Sequence, residues 1–230
     1  MLYLLFLKYL FIITLMNSLG KTPHASLRLA VVLLAAGEGS RLGSHPKALL
    51  KRDGQSLLRR FCSSLVAFEP VEFVVVTGFH ADLIENEIHS IQQASPFPIT
   101  VARNLSSKDG QATSVRLGLE SLHSQYDVLL VALSDQPGIG ALEVQALLDE
   151  YSHKENGQEM ILPIVENKRG NPVLFSSAAV KDILTIPGMV CRPYMDKHPE
   201  QVRLMQTDLQ GFVLDVDTFE DIQREKLTLS

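Results

Sequence analysis

Cysteine is scarce in this chain of 230 residues, which contains only Cys62 and Cys191. Two thiols are too few for the disulfide framework of a small secreted protein or for a four-cysteine zinc site. We interpret both as buried or unreactive thiols in a reducing compartment, and we expect a cytoplasmic protein. The 7 histidines supply no metal site either, because none lies at ligand spacing from another histidine or from a cysteine.

An excess of positive charge is also absent. Lysine and arginine total 21 against 26 aspartates and glutamates, and the formal net charge of −5 argues against nucleic acid as a partner. The hydrophobic fraction of 46% is ordinary for a globular core. Since the sequence contains no internal repeat and no linker of low complexity, we expect a single domain over residues 28–228, preceded by an N-terminal extension over residues 1–27.

A hydrophobic run long enough to span a membrane is missing. The apolar run Leu2–Leu15 is shorter than the roughly 20 residues that a membrane-spanning helix needs. No basic segment precedes it and no small-x-small cleavage site stands out after it, so it matches a secretory signal poorly. We expect translation to begin at Met16 and favour this interpretation over a membrane anchor.

The most informative stretch is a glycine-rich bend that follows an apolar run. It reads Leu33-Leu-Ala-Ala-Gly-Glu-Gly-Ser-Arg-Leu-Gly-Ser-His-Pro-Lys47. Glycines allow tight turns that bring backbone N–H groups close to a ligand, and Arg41 and Lys47 add positive charge, so the bend suits a nucleotide phosphate. Its spacing is neither the dinucleotide pattern G-x-G-x-x-G nor that of a P-loop ending in Gly-Lys-Ser/Thr.

Apolar runs alternate with amphipathic segments in the first half of the chain. Four runs are typical of buried strands, over residues 28–34, 71–77, 99–102 and 127–133. Helical periodicity is found over residues 56–66, where Ser56 would be the N-cap, over residues 82–93, where Leu83, Ile84, Ile88 and Ile91 should face the core, and over residues 111–122. This alternation predicts a doubly wound, mostly parallel sheet between two layers of helices. Ligands bind at the carboxyl ends of such strands, where the glycine bend and Asp135 both lie.

The second half is less regular. It contains predicted helices over residues 141–151, 178–184, 188–197 and 219–226. Its predicted strands cover residues 160–165, 172–175, 202–205 and 212–216. The connection between the first two of these strands is so short that it permits only antiparallel pairing, and the sheet should therefore be mixed.

The glycine bend resembles the signature of nucleotidyltransferases that transfer a nucleoside monophosphate to the molybdenum cofactor, most closely the cytidylyltransferase branch. That signature reads roughly L-A-A-G-x-S-x-R-M-G-x-x-K, with Leu42 here in place of methionine. The spacing from Gly43 to Lys47 is also that of sugar-nucleotide pyrophosphorylases. The resemblance, which runs from about residue 29 to 225, implies a Rossmann-like nucleotide-diphospho-sugar transferase fold, three-layered α/β/α. It implies a nucleotide half over residues 28–137 and an acceptor half over residues 138–228.

The same resemblance implies the residues of the site. Its nucleotide-binding residues would be Leu34, Ala35, Ala36, Gly37, Glu38, Gly39, Ser40, Arg41, Lys47, Gly110 and Ser114. Lys47, Arg41 and Asp135 would be catalytic. Its acceptor contacts would be Gly170, Asn171 and Pro172.

The implied cofactor is Mg²⁺. Its ligands would be Asp135, which follows a predicted strand, and Asp217, with Asp215 as a further possible ligand or a neighbouring carboxylate. A strand would point Asp215 and Asp217 to one face. Two plainer interpretations stay open, because Asp135 could cap the next helix and Asp217 could complement the N-terminus of a helix capped by Thr218.

These residues predict transfer of CMP from CTP to a phosphorylated acceptor, with release of pyrophosphate. The resemblance implies molybdopterin as the acceptor and transient contact with a molybdenum enzyme or its maturation factor. A phosphate acceptor is already an anion, so the reaction needs positioning and charge neutralisation rather than a general base. In relatives that use GTP a glycine commonly replaces the second alanine of the bend, and Ala36 therefore favours CTP.

Three other functions are compatible with parts of this sequence. A guanylyl or sugar-phosphate nucleotidyltransferase would keep the same motifs. A nicotinamide-nucleotide-binding module would need an acidic residue for the ribose, whereas the second predicted strand ends in Thr77 and Gly78. A catalytically inactive nucleotide sensor should have lost a metal carboxylate, yet both Asp135 and Asp217 are present.

Overall fold

The computed structural model of the chain describes residues 27–229. The predicted start at Met16 and the apolar run Leu2–Leu15 lie outside these residues. Within the described part, none of the helices combines the length and the hydrophobicity that a bilayer crossing requires.

Strands and helices alternate along the chain. The strands are β1 (Leu29–Ala35), β2 (Lys51–Arg52), β3 (Gln55–Ser56), β4 (Glu72–Thr77), β5 (Ile99–Arg103), β6 (Val128–Leu133), β7 (Met160–Val165), β8 (Lys168–Arg169), β9 (Val173–Ser176) and β10 (Val202–Gln206). The helices are α1 (Leu57–Ser64), α2 (Ala81–Gln92), α3 (Gln111–Glu120), α4 (Ala141–Ser152), α5 (Ser177–Thr185), α6 (Cys191–Lys197) and α7 (Phe219–Arg224).

Eight strands form a mixed sheet in the order β10-β7-β9-β6-β1-β4-β5, with β8 paired to β7. Strand β1 is central and parallel to both neighbours, so that Leu33 lies opposite Ala132 of β6 and Val75 of β4. Strand β9 is antiparallel to β6 and β7, while β10 is parallel to β7. The predicted mixed α/β sheet is confirmed, including the antiparallel pairing that the short connection requires.

The sheet is covered on both faces because its strands are apolar at successive positions. Val31 and Leu33 of β1 belong to a cluster that includes side chains of α1, α2 and α4. Ala30 and Val32 belong to a second cluster on the opposite face, together with side chains of α3, α5 and α6. Two buried clusters separated by one sheet give the three layers of an α/β/α fold.

Two local predictions were wrong. Leu83, expected to face the core, is 55% exposed, because α2 buries the positions of Ile84 and Ile88 instead. The predicted strand at residues 212–216 is a 3₁₀ helix, Gln210–Val213, followed by chain that pairs with no strand in the described part. Its apolar residues belong to separate clusters, since Phe212 packs in the main core and Val216 in a smaller one near α7.

Helix α3 approaches the sheet most closely at Gly118. A Cβ atom there would lie 2.6 Å from Val32 Cγ1 and 3.0 Å from Val76 Cγ2. We expect Gly118→Ala to lower the free energy of unfolding by about 1–2 kcal/mol in urea titration, after the gain in helix propensity is deducted. The control Gln145→Ala, on the exposed face of α4, should change it little. Equal stability of the two variants would contradict this close packing.

Candidate active site

The glycine bend begins where β1 ends. Gly39 and Gly43 adopt left-handed backbone conformations, with φ of 67° and 65°, on either side of a 3₁₀ turn over Ser40–Leu42. The backbone carbonyl of Gly39 accepts hydrogen bonds from the N–H groups of Leu42 and Ser44. A Cβ atom on Gly39 would lie 2.1 Å from the carbonyl oxygen of His45, so only glycine fits there. The bend is therefore a fixed turn at the carboxyl edge of the sheet.

A cavity of about 390 Å³ opens beside this turn, between the ends of β1 and β6 and the start of α3. The predicted site residues that line it are Leu34, Ala35, Ala36, Gly37, Gly39, Lys47, Ser114, Asp135 and Asp215. Other predicted nucleotide contacts are exposed beside the cavity without lining it, namely Glu38, Ser40, Arg41 and Gly110. Sequence reasoning missed several further lining residues, among them Pro46, Ser107, Gln111 and Ser134.

Lys47 forms the centre of a charge network at this cavity. Its Nζ donates hydrogen bonds to Asp135 Oδ2 at 3.0 Å and to Asp217 Oδ1 at 2.5 Å. Arg41 Nη1 lies 3.2 Å from the other oxygen of Asp217. Burial of Lys47 acts to lower the pKa of its amine, but the two carboxylates outweigh that effect and raise this pKa. Lys47 and Arg41, which were predicted to bind phosphate, thus neutralise Asp135 and Asp217, which were predicted to bind a metal ion.

Asp217 reaches this network from the N-terminus of α7. Thr218 caps the helix by accepting a hydrogen bond from the N–H of Asp221, and Asp221 Oδ2 accepts from the N–H groups of Asp217 and Thr218. These hydrogen bonds lower the pKa of Asp221 to about 2. The N–H of Val216 donates to the carbonyl of Asp135 at 3.0 Å, which ties this segment to the end of β6. The predicted cap is confirmed, but Asp215 and Asp217 do not lie on a strand as predicted.

Asp215 is the third carboxylate of the site. It lies at the exposed edge of the cavity, where loss of water around the carboxyl group and repulsion from Asp135 raise its pKa. Unlike Asp217, it forms no ion pair with another residue of 27–229. It contributes negative charge that the two cations do not neutralise directly.

The donor set suits a divalent cation that is shared with substrate phosphates. Among residues 27–229 no group of three or more histidine, cysteine, aspartate or glutamate side chains is arranged to hold a metal. Mg²⁺ bound together with phosphates needs only one or two carboxylates. Because both oxygens contact Lys47 Nζ, Asp135 Oδ2 and Asp217 Oδ1 are at most 5.5 Å apart. Ligands around Mg²⁺ lie roughly 3–4 Å apart, so a small shift would bring both to one ion.

A second cavity, of about 350 Å³, adjoins the first, since Leu34, Gln111 and Leu133 line both. Of the three predicted acceptor contacts, Gly170 and Asn171 line it while Pro172 does not. A Cβ atom on Gly170 would lie 2.7 Å from Phe212 Cβ, so the chain passes closely over the 3₁₀ helix there.

Comparison with known proteins agrees with this geometry. The family model of the MobA-like NTP transferase domain matches residues 31–201. The chain belongs to this family. The resemblance to nucleotidyltransferases is therefore confirmed, and the MobA-like match covers the glycine bend, Asp135 and the residues of the second cavity. It ends before Asp217, whose position in the network rests on the structure.

Individual relatives of this MobA-like chain differ in their stated activities. Nicotine blue oxidoreductase of Paenarthrobacter nicotinovorans is 30% identical over 201 residues, covering 84% of this chain and 94% of the relative. The homolog of Mycobacterium tuberculosis rv0371c from Mycobacterium sp. strain JC1 has a TM-score of 0.64 at 24% identity, over 86% of this chain and 94% of that one. The 4-diphosphocytidyl-2C-methyl-D-erythritol synthase of Anaerococcus prevotii also has a TM-score of 0.64, at 14% identity, over 87% and 97%. At these identities the two structures share the fold alone.

The geometry of the glycine bend can be tested with a pair of matched variants. Gly39→Ala should lower the free energy of unfolding by at least about 2 kcal/mol, because it adds both left-handed strain and a collision with His45. Gly37→Ala should leave stability nearly unchanged, since its added methyl meets no atom within 4 Å. Urea titration measures both. A Gly39→Ala protein as stable as the Gly37→Ala control would refute the described turn.

Asp215 and Asp217, the two carboxylates near α7, should have opposite effects on the stability of the fold. Because the pKa of Asp215 is raised, its ionised form weakens the fold, and the stability that its protonated form contributes is lost as pH rises through the folded-state pKa. Asp215→Asn should therefore raise the melting temperature at pH 7 without metal, and the gain should vanish at low pH.

Asp217→Asn should instead lower the melting temperature, since it removes the ion pairs to Lys47 and Arg41. Melting curves from pH 3 to pH 8 compare the two variants. If both variants shifted the melting temperature in the same direction at pH 7, the opposite roles of the two carboxylates would be contradicted.

Proposed function

We propose that this protein transfers CMP from CTP to a phosphorylated acceptor in a Mg²⁺-dependent reaction that releases pyrophosphate. The observation that carries the proposal is the position of Lys47, between Asp135 and Asp217 at the mouth of the glycine-bend cavity. Fixed carboxylates and cations at the carboxyl edge of a parallel sheet are suited to a triphosphate and its metal. Molybdopterin, the acceptor that the sequence resemblance implies, is part of this proposal.

The residues of the chain would act by positioning and by charge. An oxygen of the acceptor phosphate forms a bond to the α-phosphorus of CTP while the bond from that phosphorus to the departing pyrophosphate breaks. Asp135 and Asp217 would hold Mg²⁺, which supplies positive charge to the phosphate oxygens. Lys47 would exchange its two carboxylates for the α-phosphate, where negative charge increases in the transition state. Arg41, exposed and close to Asp217, would bind the β- and γ-phosphates.

A second candidate is an oxidoreductase that binds a nicotinamide nucleotide, and the relative named nicotine blue oxidoreductase favours it. The local structure favours it less. Strand β4 ends at the buried Thr77, whose hydroxyl donates to Glu85 at 2.8 Å, and Gly78 follows. No acidic residue of that strand end is available for a ribose, and hydride transfer gives no role to the Lys47 network.

The two candidates can be separated in one preparation. Purified full-length protein would be incubated with CTP, Mg²⁺ and phosphorylated acceptors including molybdopterin, and pyrophosphate would be measured. In parallel, oxidation of NADH and NADPH would be followed with candidate electron acceptors. We expect pyrophosphate release that depends on Mg²⁺ and acceptor. Nicotinamide oxidation without pyrophosphate release would overturn the proposed transfer.

Removal of charge from the network should abolish turnover without unfolding the protein. Asp135→Asn keeps the shape of the side chain but loses the charge that would hold Mg²⁺, and we expect pyrophosphate release to fall roughly 100-fold or more. Lys47→Ala should reduce kcat more than it raises the KM for CTP, because its contact strengthens in the transition state. Asp53→Asn, whose side chain is 87% exposed, is the control. Turnover of Asp135→Asn within a few-fold of the control would refute the role of this carboxylate.

Donor choice should depend on Ala36. This residue lines the nucleotide cavity, and its methyl group lies against Gly78, where an added Cβ would come within 2.8 Å of it. A difference of one methyl group discriminates by roughly 1–3 kcal/mol, so kcat/KM for CTP should exceed that for GTP by about ten- to a few hundred-fold. Ala36→Gly should reduce this ratio. A wild-type preference for GTP would contradict the cytidylyl assignment but not nucleotidyl transfer.

A further inference from the structure

We propose that the acceptor carries a flat ring system and an anionic group, that Arg192 binds this group, and that sugar phosphates are poor acceptors. The inference rests on the proposed nucleotidyl transfer, in which the second cavity holds the acceptor. It adds the chemical class of the acceptor and a residue that selects it.

The walls of the second cavity are mainly apolar. Strands β7 and β9 contribute Leu162, Val173 and Phe175, and helix α6 contributes Met195. These four side chains are at most 7% exposed, so they belong to the core of the protein and cannot turn away from a ligand. A sugar would place hydroxyl groups against this wall, where each unpaired hydroxyl weakens binding by about tenfold. A flat ring can place a face without hydrogen-bonding groups against this wall.

The charge of the cavity favours an anion. None of the described residues that line it is acidic, whereas Arg169 and Arg192 are both part of the lining. Arg169 already pairs with Asp196 at 2.5 Å. Arg192 is exposed and forms no ion pair or side-chain hydrogen bond with any residue of 27–229. It is therefore the cation of this cavity that is available to a ligand.

The backbone just ahead of Arg192 is held by a side chain of α3, the helix that begins beside the first cavity. Arg116 of α3 donates from its guanidinium to the carbonyl oxygens of Leu184, Ile186 and Met189, at 3.1, 3.0 and 3.3 Å. Helix α6 starts two residues after Met189, and α3 also carries Gln111, which lines both cavities. The anion site is thus fixed relative to the nucleotide, as transfer between two bound substrates requires.

Binding measurements test the inference without turnover. Full-length protein would be titrated calorimetrically with 1-naphthyl phosphate, 1-naphthol, glucose 1-phosphate and CTP. We expect 1-naphthyl phosphate to bind at least about tenfold more tightly than glucose 1-phosphate. Arg192→Gln should weaken 1-naphthyl phosphate by about tenfold or more, while binding of 1-naphthol and CTP stays unchanged. Lys197→Gln, an exposed cation on the same helix that does not line the cavity, should change none of these affinities.

The outcomes separate this inference from the proposed function. If glucose 1-phosphate binds as tightly as 1-naphthyl phosphate, or if Arg192→Gln binds 1-naphthyl phosphate like Lys197→Gln, the acceptor class is wrong even where CTP and Mg²⁺ support pyrophosphate release. If CTP supports no transfer to any acceptor, the proposed function fails irrespective of the naphthyl result. Unchanged CTP affinity in Arg192→Gln shows that the variant is folded.

Discussion

The site depends on one ammonium group that is shared by two carboxylates from distant parts of the chain. Lys47 comes from the glycine bend after β1, Asp135 from the end of β6, and Asp217 from the cap of α7. The side chain of Lys47 is only 20% exposed, so an unpaired charge there would be costly and the three segments stabilise one another. The same arrangement keeps cations and carboxylates close together, and under the proposed function they would exchange partners on binding of a triphosphate and a metal.

The sheet explains why this exchange would lead to transfer between two substrates. Strands β1 and β6 are parallel neighbours, so their carboxyl ends lie side by side and both line the first cavity. Leu34 and Leu133, at those ends, also line the second cavity, to which β7 and β9 contribute further lining residues. Because β9 lies antiparallel beside β6, the mainly apolar second cavity lies directly next to the charged first cavity. Under the proposed function, the first cavity would hold the phosphates and the second would hold the body of the acceptor.

The features that could be predicted from the sequence are those that local chemistry determines. Continuous apolar runs specified the central strands, Ser56 and Thr218 were correctly expected as helix caps, and the position of Asp135 followed from the strand before it. The segment at residues 212–216 was misassigned because alternating apolar residues can serve two separate contacts as well as one sheet. Two features have no local signal, since both depend on packing between remote helices. Arg192 has no ion-pair partner within residues 27–229, and Arg116 donates to backbone carbonyl groups that precede α6.

The proposed function requires that the carboxylates that neutralise Lys47 in the free protein bind metal once the nucleotide is present. The most direct measurement is the affinity for CTP by titration calorimetry, in saturating Mg²⁺ and in a chelator, with no acceptor present. We predict that Mg²⁺ tightens CTP binding by at least about tenfold, or ~1.4 kcal/mol, and that the effect is lost when either Asp135 or Asp217 is changed to asparagine. Equal affinity with and without Mg²⁺ in the wild-type protein would contradict it.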